Sequence, residues 1–462
     1  MRRALAPLLA AIFAVSACSS SGSSQAPSPT PGRTLPTVAS TSAEPTATDP
    51  ADWPTYHGRN DRAGHTGAAS VRPPLRRAWS RGLDGAVYAQ PVVAAGLVVV
   101  ATENDSVYAL RPGSGRLVWR RHLAEPTPLE ELPCGNIDPL GITGTPAYDA
   151  RSGLVFVVTE SGDAHHDLHA LDVRTGRERW HRNLDVVAGR DRHAEQQRGA
   201  LLVAHGRVYA AFGGLFGDCG NYVGYVTAVA TSGRGDVLRY AVPTGREAGI
   251  WAAAGPVEDP ATGDVLVAVG NGSQTGGHFD GSDSVLRLSP TLRLRAFFAP
   301  STWPEDNAAD LDLGSMSPVV VGDRVVIAGK RGAVYLLAPN LRGVGGELDQ
   351  VDGCSGFGGA ATSGHAVYLP CSDGVRRVDV SGNHLGWAWR ASGVAGSPVV
   401  VGDVVFSLDQ DAGRLVALDS RSGEIRGGID VGEVTRFATP AVAGRLLLVG
   451  TTGGVVAVVG RS

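Results

Sequence analysis

The sequence predicts an all-β fold, an eight-bladed β-propeller in which each blade is a four-stranded antiparallel sheet. Two observations predict it: a repeated strand motif and the spacing of its copies. In the clearest copies, at residues 107–119 and 168–180, an apolar strand is followed by a short polar turn and a Trp. Each copy has a Leu or Val that serves as its anchor: Leu110, Leu171, Val229, Leu288, Leu337, Val378, Leu418 and Val458.

The spacing of these anchors gives the size of the repeating unit. Successive anchors are 61, 58, 59, 49, 41, 40 and 40 residues apart, and a unit of about 40 residues is the length of one four-stranded blade. The seventh copy shows its strands in order, at residues 397–401, 404–407, 415–419 and 424–429. These runs are short, β-branched and bounded by Gly, Asp and Ser, as strands are.

The last copy ends soon after its anchor, so its sheet lacks a fourth strand. An unassigned strand with a Trp in the usual position, residues 77–81, precedes the first copy. Pairing these two segments removes the free sheet edges that would otherwise invite association. We therefore expect the propeller to be closed by an N-terminal strand that completes the last blade.

The first 50 residues are expected to lie outside the propeller. Residues 1–17 combine two Arg with an apolar stretch too short to span a bilayer, which indicates a secretory signal peptide. Their end resembles a bacterial lipobox, which implies lipidation of Cys18 and a location at the cell membrane, facing outside the cytoplasm. Residues 18–50 are rich in Ser, Pro and Thr and predict a disordered tether, so the propeller is assigned to residues 51–462.

Charge and cysteine content narrow the class of partner. The chain has 41 basic and 45 acidic residues, a net charge of −4 without a basic cluster, which argues against nucleic acid. Besides Cys18, an even number of cysteines remains, which in an exported chain predicts two disulfides. The expected pairs are Cys354 with Cys371, in adjoining strands of the sixth blade, and Cys134 with Cys219, in long insertions of neighbouring blades.

The enlarged first four repeats are where a site is expected, because loops held by a rigid scaffold carry most binding sites. Polar insertions occur at residues 160–167, 212–225 and 270–283. Several His in or near these insertions raise a transition-metal hypothesis. Only one pair has i, i+4 spacing, which matters on a helix and not across a β-turn. We interpret them as polar loop and edge residues: His165, His166, His169, His181 and His193.

The blade motif resembles the pyrroloquinoline-quinone (PQQ) repeat of quinoprotein dehydrogenases and of related non-enzymatic propellers, over about residues 53–460. In the dehydrogenases a Trp lies under the quinone, and a Gly-Asn about twenty residues later offers an oxygen to the metal. Trp251 and Asn271 match these positions. The structural alternatives are that Trp251 fills a blade interface and that Asn271 is a left-handed turn residue.

The resemblance continues into the next blade. The dehydrogenases place a catalytic Asp before it, sometimes with a metal-binding Asp two positions later, as in Asp310-Leu311-Asp312. An Arg or Lys that contacts the quinone then follows, at the position of Lys330, the only Lys in the chain. The resemblance thus implies a general base at Asp310, PQQ contacts from Trp251 and Lys330, and Ca²⁺ ligands at Asn271, Asp310 and Asp312. Alternation along an extended segment would put both carboxylates on one side of the chain. They could instead be solvated loop residues.

The sequence also departs from the dehydrogenase pattern. It has no adjacent pair of Cys to cover the quinone, and no haem domain follows. The position of the metal-binding Glu, shortly before the strand at residues 224–228, holds Cys219, so Asp218 would have to serve as the ligand. We therefore favour a membrane-anchored module that binds a small molecule or a surface protein and needs no cofactor. The alternative is a PQQ- and Ca²⁺-dependent dehydrogenase that oxidises an alcohol or sugar hydroxyl.

Overall fold

The computed structural model describes residues 52–67 and 71–461. They form eight sheets, each with a core of four antiparallel strands, so the predicted eight-bladed β-propeller is confirmed. The predicted signal peptide, Cys18 and the tether lie outside the described residues. Within the described ranges, no helix has the length and apolar character needed to cross a membrane.

The blades are numbered 1 to 8 in chain order. The strands of blade 1 are Val92–Ala94, Leu97–Ala101, Ser106–Leu110 and Leu117–His122. Those of blade 2 are Ala147–Asp149, Leu154–Ser161, His165–Asp172 and Glu178–Asn183. Those of blade 3 are Leu202–Ala204, Arg207–Gly214, Tyr225–Ala230 and Leu238–Ala241. Those of blade 4 are Val257–Glu258, Val265–Val269, Ser284–Leu288 and Leu294–Ala299.

The second half of the ring is built the same way. The strands of blade 5 are Val319–Val321, Arg324–Ala328, Ala333–Leu337 and Asp349–Asp352. Those of blade 6 are Ala361–Ser363, Ala366–Cys371, Gly374–Ser381 and His384–Ser392. Those of blade 7 are Val399–Val401, Val404–Asp409, Arg414–Asp419 and Ile425–Asp430. Blade 8 contains Ala441–Ala443, Leu446–Thr451, Gly454–Arg461 and Arg72–Gly82.

A few short elements lie outside this plan. Three two-residue strands extend sheets: His65–Thr66, Glu195–Gln196 and Gly343–Val344. One α-helix, Trp303–Ala308, and four 3₁₀ turns occur in the described loops, the turns being Tyr56–Gly58, Leu129–Glu131, Arg192–Ala194 and Leu313–Ser315.

Ring closure follows the sequence expectation. Arg72–Gly82 runs antiparallel to Gly454–Arg461, with Trp79 opposite Ala457. The fourth strand of the last blade is therefore supplied by the N-terminal side of the chain.

The Gly and Trp of the repeat motif meet at the joints between blades. Trp119 of blade 1 lies on Gly176 of blade 2, and its indole nitrogen donates to the carbonyl of Val173 at 2.9 Å. Gly176 has a φ of +68°, and a Cβ added there would lie 2.5 Å from the indole ring. Only glycine satisfies both conditions. The same packing of a Trp ring on a Gly recurs in three further pairs, Trp79 on Gly115, Trp180 on Gly233 and Trp389 on Gly423.

The apolar core lies between the blades. Every residue of Leu97–Ala101 and of Ser106–Leu110 is buried, because alternate side chains face the two neighbouring blades. The outermost strand is mostly exposed, as in Leu117–His122. First strands of neighbouring blades contact one another, so they line the centre of the ring.

The segment before the closing strand spans the ring. Trp53 pairs with Val93 of blade 1, the carbonyl of Ala63 accepts from Thr362 of blade 6, and His65–Thr66 adds a parallel strand to blade 7. Its anchor is Arg62, whose side chain is 1% exposed. The guanidinium donates to four oxygen acceptors: Thr55 Oγ1 at 2.6 Å, Tyr56 O at 3.2 Å, Leu201 O at 3.0 Å and Pro256 O at 3.0 Å.

Both predicted disulfides form, Cys134–Cys219 and Cys354–Cys371. Cys371 ends the second strand of blade 6, as expected. Cys354 precedes the first strand, Ala361–Ser363, instead of lying in a strand of that blade.

We predict that Arg62→Ala lowers the free energy of unfolding by about 3 kcal/mol, because it leaves several buried acceptors without a donor. The matched control is Arg59→Ala, since Arg59 is mostly exposed and, among the residues described, forms an ion pair with Asp61 alone; it should cost less than about 1 kcal/mol. Urea denaturation of both variants measures this difference. Equal losses would show that the buried guanidinium does not anchor the segment.

Candidate functional site

The structure brings together five residues that the sequence singled out, and Asp312 is their common partner. Its Oδ1 accepts from the indole nitrogen of Trp251 at 3.2 Å and from the backbone nitrogen of Asn271 at 3.0 Å. Its Oδ2 lies 2.5 Å from Lys330 Nζ. Lys330 also contacts Asp310 at 2.7 Å and lies 5.7 Å from the centre of the Trp251 ring.

Close backbone approach makes this cluster possible. Asp312 lies between blades 4 and 5, directly before the turn Leu313–Ser315. A Cβ on Gly270 would lie 2.0 Å from Asp312 Oδ1, so only glycine allows the end of the second strand of blade 4 to reach the carboxylate.

Two local expectations are corrected. Both carboxylates of Asp310 and Asp312 face Lys330, but not by alternation along an extended segment, because Asp310 has a left-handed φ of +54°. The structural alternative for Asn271 was a left-handed turn residue, and it is wrong, since Asn271 does not have a positive φ.

The carboxylate of Asp312 is saturated by protein donors. The side-chain amide of Asn271 lies 2.8 and 3.2 Å from its two oxygens and donates to both when the amide nitrogen faces them. Burial opposes the positive charge of Lys330, but Asp312 and Asp310 outweigh that effect and raise the pKa of the ammonium. At neutral pH the cluster is therefore a network in which one ammonium lies between two carboxyl groups.

A recess lined by aromatic rings and cations adjoins this network. Phe437 packs edge-on against Trp251, with ring centres 6.3 Å apart. The guanidinium of Arg198 lies 5.4 Å from the centre of Phe437, and that of Arg436 lies 4.6 Å from the centre of Phe357. Neither Arg forms an ion pair with any carboxylate in the described ranges.

The recess includes a small cavity of about 10 Å³ lined by Tyr56, Tyr88, Thr143, Thr145, Arg198, Ala253 and Phe437. Most of these residues come from loops that lead into the first strands of different blades. Because the first strands line the centre of the ring, the recess lies near its axis. Sequence reasoning missed Arg198, Arg436, Phe357 and Phe437, because no local motif marks them.

A buried carboxyl, Glu103, lies close to Arg198. Burial raises the pKa of Glu103 to about 8, although hydrogen bonds from Gly141 N and Thr143 Oγ1, and the charge of Arg198, oppose the shift. Glu103 is therefore mostly uncharged at neutral pH and does not neutralise Arg198.

The fold of this chain is similar to folds of known proteins. A family model described as the outer membrane protein assembly factor BamB matches residues 76–269. A quinohaemoprotein alcohol dehydrogenase from Pseudomonas putida superposes with a TM-score of 0.69 at 16% identity, covering 90% of this chain and 81% of that one. The chain therefore has a quinoprotein-like β-propeller fold.

Other solved structures give the same fold for the quinoprotein-like propeller. A europium-containing methanol dehydrogenase superposes with a TM-score of 0.68 at 15% identity, covering 89% of this chain and 98% of that one. BamB from Moraxella catarrhalis gives 0.58 at 18% identity, with 84% and 97% covered. No curated protein sequence matches significantly. At these identities the likeness shows the fold alone.

The cofactors that this fold implies can be tested against the residues present. Lys330 Nζ lies 2.7 Å from Asp310 and 2.5 Å from Asp312, so an ammonium occupies the position between the two carboxylates where Ca²⁺ would bind. The carboxylate of Asp218, proposed to replace the missing Glu, accepts from the Tyr222 hydroxyl at 2.5 Å. Among the residues described, no trio of acidic or His ligand atoms within 4.8 Å includes Asp218, Asp310 or Asp312. The residues of the quinoprotein-like propeller therefore do not fit a bound divalent ion here.

Two histidines of blade 2 differ from expectation. His166 and His169 are buried within the strand His165–Asp172, so their interpretation as polar loop or edge residues is wrong. His181 is exposed, as expected, and lies beside His169 and Glu178.

We predict that Lys330→Gln lowers the free energy of unfolding by about 2 kcal/mol, because it leaves the buried Asp312 carboxylate, 3% exposed, without its cation. Asp310→Asn is the control: Asp310 is 63% exposed and its loss leaves the Lys330–Asp312 pair intact, so the cost should stay below about 1 kcal/mol. Thermal and urea unfolding measure both. A larger effect for Asp310→Asn would identify Asp310 as the principal partner of Lys330.

A second prediction concerns pH. Because the pKa of Glu103 is raised to about 8 in the folded chain, its contribution to stability is complete below about pH 4.5 and is lost as the pH rises through 8. Glu103→Gln should therefore gain about 1 to 3 kcal/mol relative to wild type between pH 5 and pH 9. Unfolding free energies at the two pH values, with the exposed Glu424→Gln as control, measure the effect. Parallel profiles for wild type and Glu103→Gln would contradict it.

Proposed function

We propose that this quinoprotein-like propeller is a binding module that takes up an anionic ligand in the recess, and that a lipid on Cys18 holds it at the cell membrane, facing outside the cytoplasm. The observation that carries the proposal is the closed network around Asp312. Its carboxylate accepts from Trp251, Asn271 and Lys330. The residues that resemble a metal site thus satisfy one another, which leaves binding by charge and aromatic surface as the chemistry of the recess.

The recess suits a planar anion. Arg198 and Arg436 present guanidinium groups without carboxylate partners among the described residues, and guanidinium groups bind carboxylates in a bidentate manner. Trp251, Phe357 and Phe437 offer rings on which a flat ligand can pack with little loss of conformational entropy. The matching family model is named for an outer membrane protein assembly factor, which supports a binding role.

The second candidate is a PQQ- and Ca²⁺-dependent dehydrogenase that oxidises an alcohol or sugar hydroxyl. The convergence of Trp251, Asn271, Asp310, Asp312 and Lys330 favours it. In that case Asp310, whose carboxylate is 63% exposed, would accept the hydroxyl proton of the substrate. Its pKa is raised by burial and by the neighbouring Asp312, against the opposing contact with Lys330, which makes the carboxylate a better proton acceptor.

The two functions are separated by one titration. PQQ, a planar tricarboxylate, is added to the full chain in EDTA or in Ca²⁺, with quenching of Trp fluorescence and dye-linked alcohol oxidation as readouts. The binding module predicts quenching in EDTA and no oxidation. Arg198→Gln and Arg436→Gln should each weaken binding about tenfold, which corresponds to about 1.4 kcal/mol, and Arg59→Gln should have no effect.

The opposite outcomes are equally definite. Binding that requires Ca²⁺ and is accompanied by oxidation would establish the dehydrogenase. If neither PQQ nor benzene-1,3,5-tricarboxylate binds, the recess is not an anion site.

A further inference from the structure

A buried cluster of His166, Asp185 and Glu195 lies at the joint between blades 2 and 3, on residues different from those of the recess. One potential ligand atom from each of the three lies within 4.8 Å of the others. The side chain of His166 is fully buried, that of Asp185 is 14% exposed, and Glu195 is 3% exposed. Such groups are rarely buried together without a compensating charge.

Backbone pairing fixes all three residues. His166 lies in the third strand of blade 2, opposite Glu160 of the second. Asp185 lies two positions beyond the end of the fourth strand, Glu178–Asn183. Glu195 begins the strand Glu195–Gln196, which pairs with Gly213–Gly214 of blade 3. The cluster therefore connects two blades and does not depend on a free loop.

Each member of the cluster is oriented by a second group. Nδ1 of His166 lies 2.8 Å from Asp185 Oδ1, and its Nε2 lies 3.2 Å from Glu160 Oε2. Nδ1 donates to Asp185, so a metal ion bound at this nitrogen would replace its proton while Nε2–H remains directed at Glu160. Ligating histidines in proteins are commonly held in this way, by a carboxylate on the second ring nitrogen.

The two carboxylates are held similarly. Asn183 Nδ2 donates to Asp185 Oδ2 at 2.9 Å, and the Tyr225 hydroxyl donates to Glu195 Oε2 at 3.0 Å. Oε1 of Glu195 is buried and has no hydrogen-bond partner among the residues that the structure describes. A buried carboxylate oxygen without a partner is costly, and a cation bound there would remove the cost.

We propose that His166 Nδ1, Asp185 and Glu195 bind one divalent first-row metal ion, of the Zn²⁺ or Mn²⁺ type. An imidazole with two carboxylates is a donor set for such ions, and three protein ligands leave further positions for water. The partly exposed Asp185 gives the ion access from solvent. A bound ion would clamp blade 2 to blade 3, near the Cys134–Cys219 bridge between insertions of the same two blades.

A nearby group gives the matched control. His169, Glu178 and His181 also bring three ligand atoms within 4.8 Å, but His181 is 64% exposed and Glu178 is 36% exposed. Glu178 Oε1 already contacts both imidazoles, at 2.9 and 3.1 Å. His181→Ala removes this exposed trio without touching the buried one.

The test is calorimetric titration of the EDTA-treated full chain with ZnCl₂ and with MnCl₂. We expect one Zn²⁺ that Glu195→Gln and Asp185→Asn each weaken at least tenfold. If the exposed trio also binds, His181→Ala removes only that second ion. Retention of wild-type affinity by both carboxylate variants, or loss of all binding in His181→Ala, would overturn the proposal.

Folding of the variants is checked by circular dichroism in EDTA. Should Glu195→Gln fail to unfold cooperatively, Asp185→Asn, at the more exposed position, decides the outcome. A further readout is independent of the variants: bound Mn²⁺ in the wild-type chain should show magnetic coupling to one imidazole nitrogen by pulsed electron paramagnetic resonance. Absence of that coupling would also overturn the assignment. Neither readout depends on ligand binding in the recess.

Discussion

A tryptophan of one blade packed on a glycine of the next is the contact that recurs at four joints of the ring. At the joint between blades 1 and 2, Trp119 leaves no room for a side chain on Gly176 and donates to the adjoining turn. Trp79 makes the equivalent contact between blades 8 and 1. The closing strand therefore both pairs with the last strand of blade 8 and supplies the Trp that contacts blade 1. Because each blade contacts only its neighbours, the ring is complete only when this last joint forms.

The sequence was sufficient for the features that repeat or that lie close in the chain. The motif spacing predicted all eight blades, and the family resemblance selected Trp251, Asn271, Asp310, Asp312 and Lys330, which do meet. The sequence could not predict the hydrogen bonds among these residues. The donors to the Asp312 carboxylate come from three separate segments, which can approach one another because Gly270 has no side chain. Nor could it predict the recess, because Arg198, Phe357 and Arg436 come from three distant loops.

The buried cluster was missed for a different reason. The position of His166 in a polar insertion predicts an exposed loop residue. Its partners instead come from the hairpin of blade 2 and from the joint between blades 2 and 3. Strand pairing puts Glu160 opposite His166, and the strand at Glu195–Gln196 brings a residue nearly thirty positions away. That same strand leads to Arg198, whose guanidinium donates to Gln196 at 2.8 Å. The conformation of the short segment from Glu195 to Arg198 therefore affects both the cluster and the recess.

The pairing of Arg72–Gly82 with Gly454–Arg461 also imposes an order of events on a growing chain. About 370 residues separate the two partners, so the strand made early has no mate until nearly all the rest has been synthesised. A polypeptide with such distant contacts folds slowly. Until the two strands pair, the edge of the sheet stays exposed. Arg76, Arg77 and Arg81 on that strand place several like charges along the waiting edge. Like charges on an exposed edge strand disfavour its pairing with the edge of a second copy.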